Sequence, residues 1–554
     1  MNAAPSPPLL RWLQQADALR NAERWAEALH CYEQARALRD DAVVAHNLAL
    51  CHLALQHPPE AIAHARRALQ RQPGLWQSAL VLAKALILAQ DKPGALDVLR
   101  TLHQRLPQNA EVRVELARLT LQLLCDPRQA RALVQPLLGD PRHGADALIT
   151  TLITQLYDRD GSASDLNAAF LDFGRTHMPA PQPTPPTALQ PASQPAPPAR
   201  SGGRTRSTRT AARLRVGLLS PQFCASPVYF FAFGALEQLA SAVNLVVLRR
   251  GNKEDWATQR FRAIASEWND VAALASAPLA KELERQNLDA LIDLGGWMDP
   301  AALHALASKP VRRMLKWVGG QSVTTGLRSF DGFLTDRYQT PRGSDALYSE
   351  PLIRLRSGYV TYTPPPYMPS PIADDGSRRA TVVGVIANPA KLSRAFLAEL
   401  TTCLARWQGA ETAPIVVRCI DQRYAHTPVR QRICDALPGV LLEFLTPSSH
   451  REYLEAVAQL DAVVDTWPYS GGLTTVEALS LGVPVYTKLG TLFCERHTLS
   501  HCRYAGLTLA QCRIDRLATL PHPQRTGHAL LRAESARTRH ADLAAELLQH
   551  LAGR

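Results

Sequence analysis

The sequence predicts a helical repeat arm followed by two doubly wound α/β halves, an α plus α/β chain. Three observations carry that reading. Small residues recur at a repeat-length spacing near the start, a proline-rich stretch interrupts the chain at 179–212, and beyond residue 213 short apolar runs alternate with helical stretches in two successive series. At 554 residues the chain is too long for one hydrophobic core, and about 100–200 residues per domain suggests three or four. The expected divisions are 1–178 for the repeats, 179–212 for a linker, 213–375 and 376–525 for the two α/β halves, and 526–554 for a last helix.

In the arm, Glu27-Ala28-Leu29, Glu60-Ala61-Ile62 and Gly94-Ala95-Leu96 recur at spacings of 33 and 34, and Ala130 follows 35 later. Pro73 and Pro107, 34 apart, each close a helix, and Tyr32 lies one helical turn after Ala28. Alanines let paired helices approach closely, and a proline stops the second helix of a pair. Such pairs bury their apolar faces only by stacking into a solenoid. The pattern over about 12–140 resembles tetratricopeptide repeats, which implies a concave groove that binds protein; a purely structural arm is the alternative.

Residues 179–212, rich in proline and small polar residues, cannot supply a core and read as an extended tether ending in Arg200, Arg204, Arg206 and Arg209. From Arg213 the runs LRVGLLS, NLVVLRR, LDALIDLGG, RMLKWVGG and FDGFLTD suit buried parallel strands, with helical stretches such as 278–286 and 300–308 between them. A second series, TVVGVIA, PIVVRC, LLEFL, AVVDTW and VPVYTK, begins near Ala380. Two such series mean two doubly wound halves with ligands at the carboxyl ends of strands. The absence of GxGxxG points away from dehydrogenases. A helix at about 529–551 has no strand partner and is placed to cross back onto the first half.

Composition is ordinary for a globular protein, 46% hydrophobic and 20% charged. A net charge of +12 allows an anionic partner such as a nucleotide, but the arginines are spread through helices, so nucleic acid is not expected. The ten cysteines are scattered without a CxxC pair, as in a reduced cytoplasmic protein. The first twenty residues lack a basic region followed by an apolar one. The longest apolar stretch, Ala79 to Ala89, is broken by Lys84 and too short to span a bilayer. A cytoplasmic protein without membrane insertion is expected.

The sharpest segment is Asp465-Thr466-Trp467-Pro468-Tyr469-Ser470-Gly471-Gly472-Leu473-Thr474-Thr475, followed by Gly482-Val483-Pro484-Val485. A strand ends in an acid, a glycine pair turns the chain, and two threonines open a helix. N–H groups and hydroxyls at a helix N-terminus suit phosphate oxygens. This segment resembles the O-GlcNAc transferase and SPINDLY-like family. Arg496-His497-Thr498-Leu499-Ser500-His501 is similar to a form found in bacterial members, and further matches run in family order. These are Ser220-Pro221-Gln222-Phe223, Asp293-Leu294-Gly295-Gly296, Trp317-Val318-Gly319-Gly320, Asp336 with Thr340-Pro341, and Asn388-Pro389-Ala390-Lys391-Leu392-Ser393.

The resemblance implies the GT-B fold and a protein glycosyltransferase that is inverting and metal-independent. The implied donor is a UDP-sugar, GlcNAc or another hexose, and the acceptor is a polypeptide bound by the repeats. No cofactor is implied beyond the nucleotide-sugar co-substrate. GDP-fucose or a dTDP-sugar is the alternative donor, and a nucleotide-sensing adaptor the alternative from another class. Lys391 matches the lysine on the donor diphosphate, Asn388 a polar diphosphate contact, and Gly472, Leu473, Thr474 and Thr475 the donor-phosphate turn. Thr446, Pro447, Ser448 and His450 fall where the family's loop holds the base. His497 and His501 are candidates for the general base, which must reach the acceptor proton with a pKa near working pH.

The chain departs from the family pattern in its first half. Ser226 stands where many relatives carry a histidine, Gln222 replaces an acid, Leu473 replaces a frequent histidine, and the loop at Gly319 and Gly320 is altered. Trp297 offers a flat apolar surface of the kind that stacks on sugars. With Ser226, Gly319 and Gly320 it forms the expected sugar and acceptor pocket. The one DxD string, Asp158-Arg159-Asp160, reads as a polar turn, and no metal site is expected.

Overall fold

The computed structural model describes residues 6–178, 213–372, 381–410, 414–514 and 533–553. The expected linker at 179–212 lies outside the described residues, as does 526–532 of the expected last segment.

The arm consists of α1 (Pro7–Asn21), α2 (Trp25–Leu38), α3 (Ala42–Ala54), α4 (Pro58–Arg71), α5 (Trp76–Leu88), α6 (Lys92–Arg105), α7 (Ala110–Leu119), α8 (Pro127–Val134) and α9 (Gly144–Tyr157), each packed on its neighbours in sequence. Ala28, Ala61, Ala95 and Ala130 are all fully buried, so the recurring methyl is what lets the paired helices close up. A second periodic signal sits in the turns. Glu23, Gln56, Gln90 and Cys125 have φ of 57°, 61°, 66° and 53°, one left-handed residue between the two helices of each pair. The second helices start cleanly. Proline lies in the first turn of α4, α6 and α8, and Asp91 and Asp126 accept backbone N–H bonds from Gly94 and Gln129. A turn of π-helix, Thr120–Leu124, extends α7 to Cys125.

Beyond α10 (Ala163–His177) come β1 (Arg215–Ser220), α11 (Pro227–Leu239), β2 (Asn244–Arg249), α12 (Trp256–Ile264), β3 (Glu267–Asp270), α13 (Ser276–Arg285), β4 (Ala290–Asp293), α14 (Pro300–Ala307), β5 (Met314–Lys316), β6 (Gly332–Thr335) and β7 (Leu352–Arg354). The sheet is parallel, in the order β3-β2-β1-β4-β5-β6-β7. The second half contributes β8 (Thr381–Val385), α15 (Arg394–Ala410), β9 (Ile415–Ile420), α16 (Thr427–Ala436), β10 (Leu441–Leu445), α17 (His450–Val457), β11 (Ala462–Val464), α18 (Leu473–Ser480), β12 (Val485–Tyr486), α19 (His497–Tyr504) and α20 (Leu509–Cys512), with α21 (Ala533–Leu551) last. Its sheet runs β10-β9-β8-β11-β12. In both sheets the first strand is central and the order reverses beside it, the doubly wound arrangement that leaves a ligand crevice at the carboxyl ends of strands.

The chain forms two compact units. One holds α1–α9, β8–β10, α15, α16 and residues 466–469; the other holds α10–α14, β1–β7, β11, β12 and α18–α21. Two expectations change here. Helix α10, placed with the repeats by its sequence position, packs on the first α/β half. There Gly174 lies so close to Gly326 that a Cβ would stand 2.2 Å from the Gly326 oxygen, and Asn167 donates to the Leu347 carbonyl at 2.8 Å. The arm, read as standing off on a tether, shares a unit with the first strands of the second half.

Helix α21 packs on α11 and places Leu543, Ala544, Leu547 and Leu551 in the core of the first half. The His540 ring fills the space a side chain at Gly234 would need, and its Nδ1 lies 2.7 Å from the Thr361 hydroxyl. Glu546 accepts from the backbone N–H groups of Arg356 and Ser357. No helix among the described residues is long and apolar enough to cross a membrane.

Candidate active site

In the first unit, β8 leads into a single tight turn at Pro389–Lys391. The Asn388 side chain accepts from the Ala390 N–H at 3.0 Å and shapes that turn. The turn delivers Lys391, whose Nζ lies 4.1 Å from the centre of the Tyr469 ring. Ser393 ties the same segment to residues 466–469 by donating to the Trp467 carbonyl at 2.8 Å, and Phe396 packs edge-on against Trp467.

The arm reaches this corner directly. Tyr157, the last residue of α9, stacks on Tyr469 with centroids 5.2 Å apart. Arg432 of α16 donates to the carbonyls of Cys125 (2.6 Å) and Pro389 (3.0 Å), bridging a repeat turn and the Lys391 turn through one guanidinium. Asp158 and Asp160 are engaged by Arg128 and Arg131. Elsewhere in the unit, Thr446, Pro447, Ser448 and His450 follow β10. Thr446 is exposed, Ser448 bonds Glu452, and the His450 ring stacks on Tyr453.

In the second unit, buried Asp465 at the end of β11 accepts from the Gly471 N–H (2.6 Å) and the Thr487 hydroxyl (2.8 Å). A Cβ on Gly471 would meet the hydroxyls of Thr474 and Thr475 and the Asp465 carboxylate within 3.0 Å, so only glycine fits this turn. Gly472 caps α18. The two threonines then divide their work. Thr475 is buried and pairs with the Thr498 hydroxyl at 2.8 Å, whereas half-buried Thr474 spends no side-chain hydrogen bond on the described residues. Leu473 packs partly against the first-half core.

His497 is buried, and its Nδ1 lies 2.8 Å from the Gln339 amide nitrogen and 3.2 Å from the Tyr359 hydroxyl, so the ring joins α19 to those segments. His501 is stacked on Phe231 and Tyr359, with burial pushing its pKa down to about 3. Asp336, beside them, accepts from Ser500 and from the N–H groups of Tyr338, Gln339 and Tyr359, while burial raises its pKa.

The expected sugar-side residues lie in loops that follow strands of the first half. Ser226 follows β1, Trp297 follows β4, and Gly319 and Gly320 follow β5, with β1 and β4 the neighbours at which the strand order reverses. Trp297 is not an open stacking surface: Phe170 and Phe173 of α10 cover its ring and its indole N–H donates to the Thr324 carbonyl at 3.0 Å. Ser226 turns its hydroxyl onto the Gln222 carbonyl at 3.0 Å. Gly319 and Gly320 pass so close to the end of β4 that side chains there would strike the carbonyls of Leu294 and Gly295 at 1.9 and 2.3 Å. Fully buried Lys316, paired with Asp293 at 3.3 Å and donating to the Val318 and Gly319 carbonyls, locks this loop. Lys316, Arg432 and Tyr157 carry no motif signal; only the fold reveals what they hold.

No family model matches the chain. SPINDLY of Arabidopsis thaliana, titled a probable UDP-N-acetylglucosamine–peptide N-acetylglucosaminyltransferase, is 26% identical over 309 residues, 53% of this chain and 33% of that protein. The like-titled protein of Solanum lycopersicum is 25% identical over 316 residues, 53% and 32% of the two chains. The chain thus spans about a third of the length of these curated relatives. Among solved structures, a lysine-to-methionine mutant of the Thermobaculum terrenum O-GlcNAc transferase superposes with a TM-score of 0.55 at 23% identity, over 100% of this chain and 95% of that one. At that identity the match shows the fold. A repeat arm followed by two parallel doubly wound sheets is the architecture of a GT-B chain with a helical front. The chain is similar to the O-GlcNAc transferase and SPINDLY proteins.

Proposed function

We propose that the chain is a protein glycosyltransferase that moves a sugar, GlcNAc or another hexose, from a UDP-linked donor to a side chain of a polypeptide. In this reading an acceptor hydroxyl attacks the anomeric carbon from the face opposite the nucleotide. The bond from that carbon to the diphosphate oxygen breaks, the electron pair leaves with the diphosphate, and the acceptor proton passes to a base. Lys391 neutralises the charge that builds on the leaving group. The Thr474 hydroxyl and the first N–H groups of α18 receive phosphate oxygens. Asn388 sets the Lys391 turn, and Thr446, Pro447 and His450 face the nucleotide base. Ser226, Gly319 and Gly320 shape the sugar side. These groups need no metal ion to balance the diphosphate.

The observation that carries the reading is the division of labour in the Asp465–Thr475 turn. One threonine is spent inside the protein and the other makes no side-chain hydrogen bond among the described residues, at the head of a helix that follows a strand end. The relatives' names supply the donor class.

The test is a panel of UDP-, GDP- and dTDP-sugars, scored on the full chain for thermal stabilisation and for turnover. Stabilisation and hydrolysis with UDP-GlcNAc are expected. Preference for GDP-fucose or a dTDP-sugar would favour the second donor reading, which Ser226 and Leu473 support. Stabilisation without turnover on any acceptor would make the chain a nucleotide-sensing adaptor.

A further inference from the structure

Three successive helices of the arm bring together Glu33 (α2), His52 (α3) and His64 (α4), with one ligand-type atom from each within 4.8 Å of the others. The rings of His52 and His64 stack in parallel, centroids 5.3 Å apart, and the His57 ring lies 5.8 Å from that of His52. The His52 Nδ1 is shielded from solvent and has no hydrogen-bond partner, a condition that costs free energy unless something fills it. No hydrogen bond joins the His64 ring to the described residues either. Among the described residues the only ion pair at Glu33 is with Arg36 at 2.8 Å, a half-exposed pair one helical turn apart, worth little and easily exchanged.

We propose that Glu33, His52 and His64 form a binding site for one divalent transition-metal cation, zinc in the first instance. Two imidazoles and a carboxylate are the donor set that borderline cations of this kind take, usually with water or a fourth side chain completing a tetrahedron. His57 is within reach for that place. Small side-chain rotations turn the stacked rings so that both lone pairs meet at one point, since zinc sits about 2 Å from each donor atom. The surroundings permit a cation: Glu33 and Glu60 bring negative charge to His52, against Arg36 and Arg67 near the pair. The bound ion would staple the second helix of one repeat to both helices of the next, fixing the curvature of the arm at its first repeats. It takes no part in sugar transfer, so the site stands whether or not the glycosyltransferase reading does.

The experiment uses the untagged full chain freed of metal with EDTA and then titrated with Zn²⁺ by calorimetry and with Co²⁺ by absorbance. One equivalent of Zn²⁺ per chain is expected, with a visible Co²⁺ spectrum of tetrahedral intensity and a rise in the melting temperature of the arm. Glu33→Gln keeps the side-chain shape and should weaken zinc binding at least tenfold without moving the metal-free melting curve. His64→Gln should weaken it by more, and the pair His52→Gln/His64→Gln should abolish it. Zinc binding that survives in the double variant, or a wild-type chain that binds no zinc at 100 micromolar (about the weakest affinity worth calling a site), overturns the proposal.

Discussion

At the scale of single residues, the test of the donor assignment is Lys391. Replacing it with alanine removes one cation from the leaving-group side while the Asn388 turn, closed by its own hydrogen bonds, persists. The expected loss is about 2–4 kcal/mol of transition-state stabilisation, roughly thirtyfold to a thousandfold in rate. Turnover at the wild-type rate would remove Lys391 from the chemistry. The buried histidines make a separate prediction. His501 and His540 are held neutral, with pKa values pushed down to about 3 and about 4 by burial first and by Arg539 second. Between the unfolded value near 6.5 and those folded values the unfolded chain binds protons that the folded chain refuses, so stability falls as pH falls through that window. Each group contributes a slope of up to about 1.4 kcal/mol per pH unit. Urea melts from pH 7.5 to 4.5 should show the decline, and His501→Gln should remove one proton's share of it; an unchanged slope would contradict the burial argument. Residue identities were legible in the sequence where a motif carried them, and residue roles were much less so. Ser226, Trp297, Gly319 and Gly320 were located by motif order, yet the direction of a side chain depends on what covers it. The rings that cover Trp297 come from α10, more than a hundred residues earlier. Trp297→Ala is therefore expected to cost about 3–5 kcal/mol of folding stability, measurable by denaturant melts, rather than a sugar contact.

At the scale of elements, the joint between the arm and the Lys391 turn changes what a truncation should do. Arg432 holds the carbonyls of Cys125 and Pro389 together, and Tyr157 backs the ring beneath Lys391. A chain beginning near Arg213 lacks Cys125 and Tyr157. It should bind nucleotide-sugar at least tenfold more weakly than the full chain, in addition to losing acceptor affinity. Arg432→Ala gives the same test without truncation. Charge-assisted bonds of this kind are worth about 1.5–3 kcal/mol, so donor KM should rise by about tenfold or more with a smaller change in kcat, and Arg432→Lys should recover part of the loss. Equal donor binding by the full and shortened chains would show the joint to be idle. Elements with apolar sequences were plain in advance, among them all five strands of the second sheet and five of the first. The edge strands β3 and β7 were not. Glu267–Asp270 reads EWND and is half exposed, and Leu352–Arg354 has three residues, so neither shows an apolar run. The affinity of α10 for the first half was also hidden, because its pattern is that of any amphipathic helix and the decisive contact is a glycine pair distant in sequence.

At the scale of the whole molecule, the order of arm and two doubly wound halves follows from repeat spacing and strand–helix alternation alone. The two long-range returns, arm onto second half and last helix onto first, follow from neither. The proposed chemistry balances the diphosphate with Lys391 and a helix terminus, so transfer should survive EDTA even if the chelator lowers the melting temperature of the arm. Loss of transfer in EDTA with recovery on Mg²⁺ or Mn²⁺ would overturn the metal-free mechanism. The return of α21 has a consequence for the living cell. The core of the first half is completed by Leu543, Leu547 and Leu551, although its own strands end at Arg354. Roughly 200 further residues must leave the ribosome before that core can close, about 10–40 s at 5–20 residues per second. Until then the face of α11 at Gly234, where the His540 ring packs, stands uncovered, so newly made chains should be chaperone clients, and a ribosome stalled anywhere in the second half should release a fragment that aggregates rather than a folded first domain.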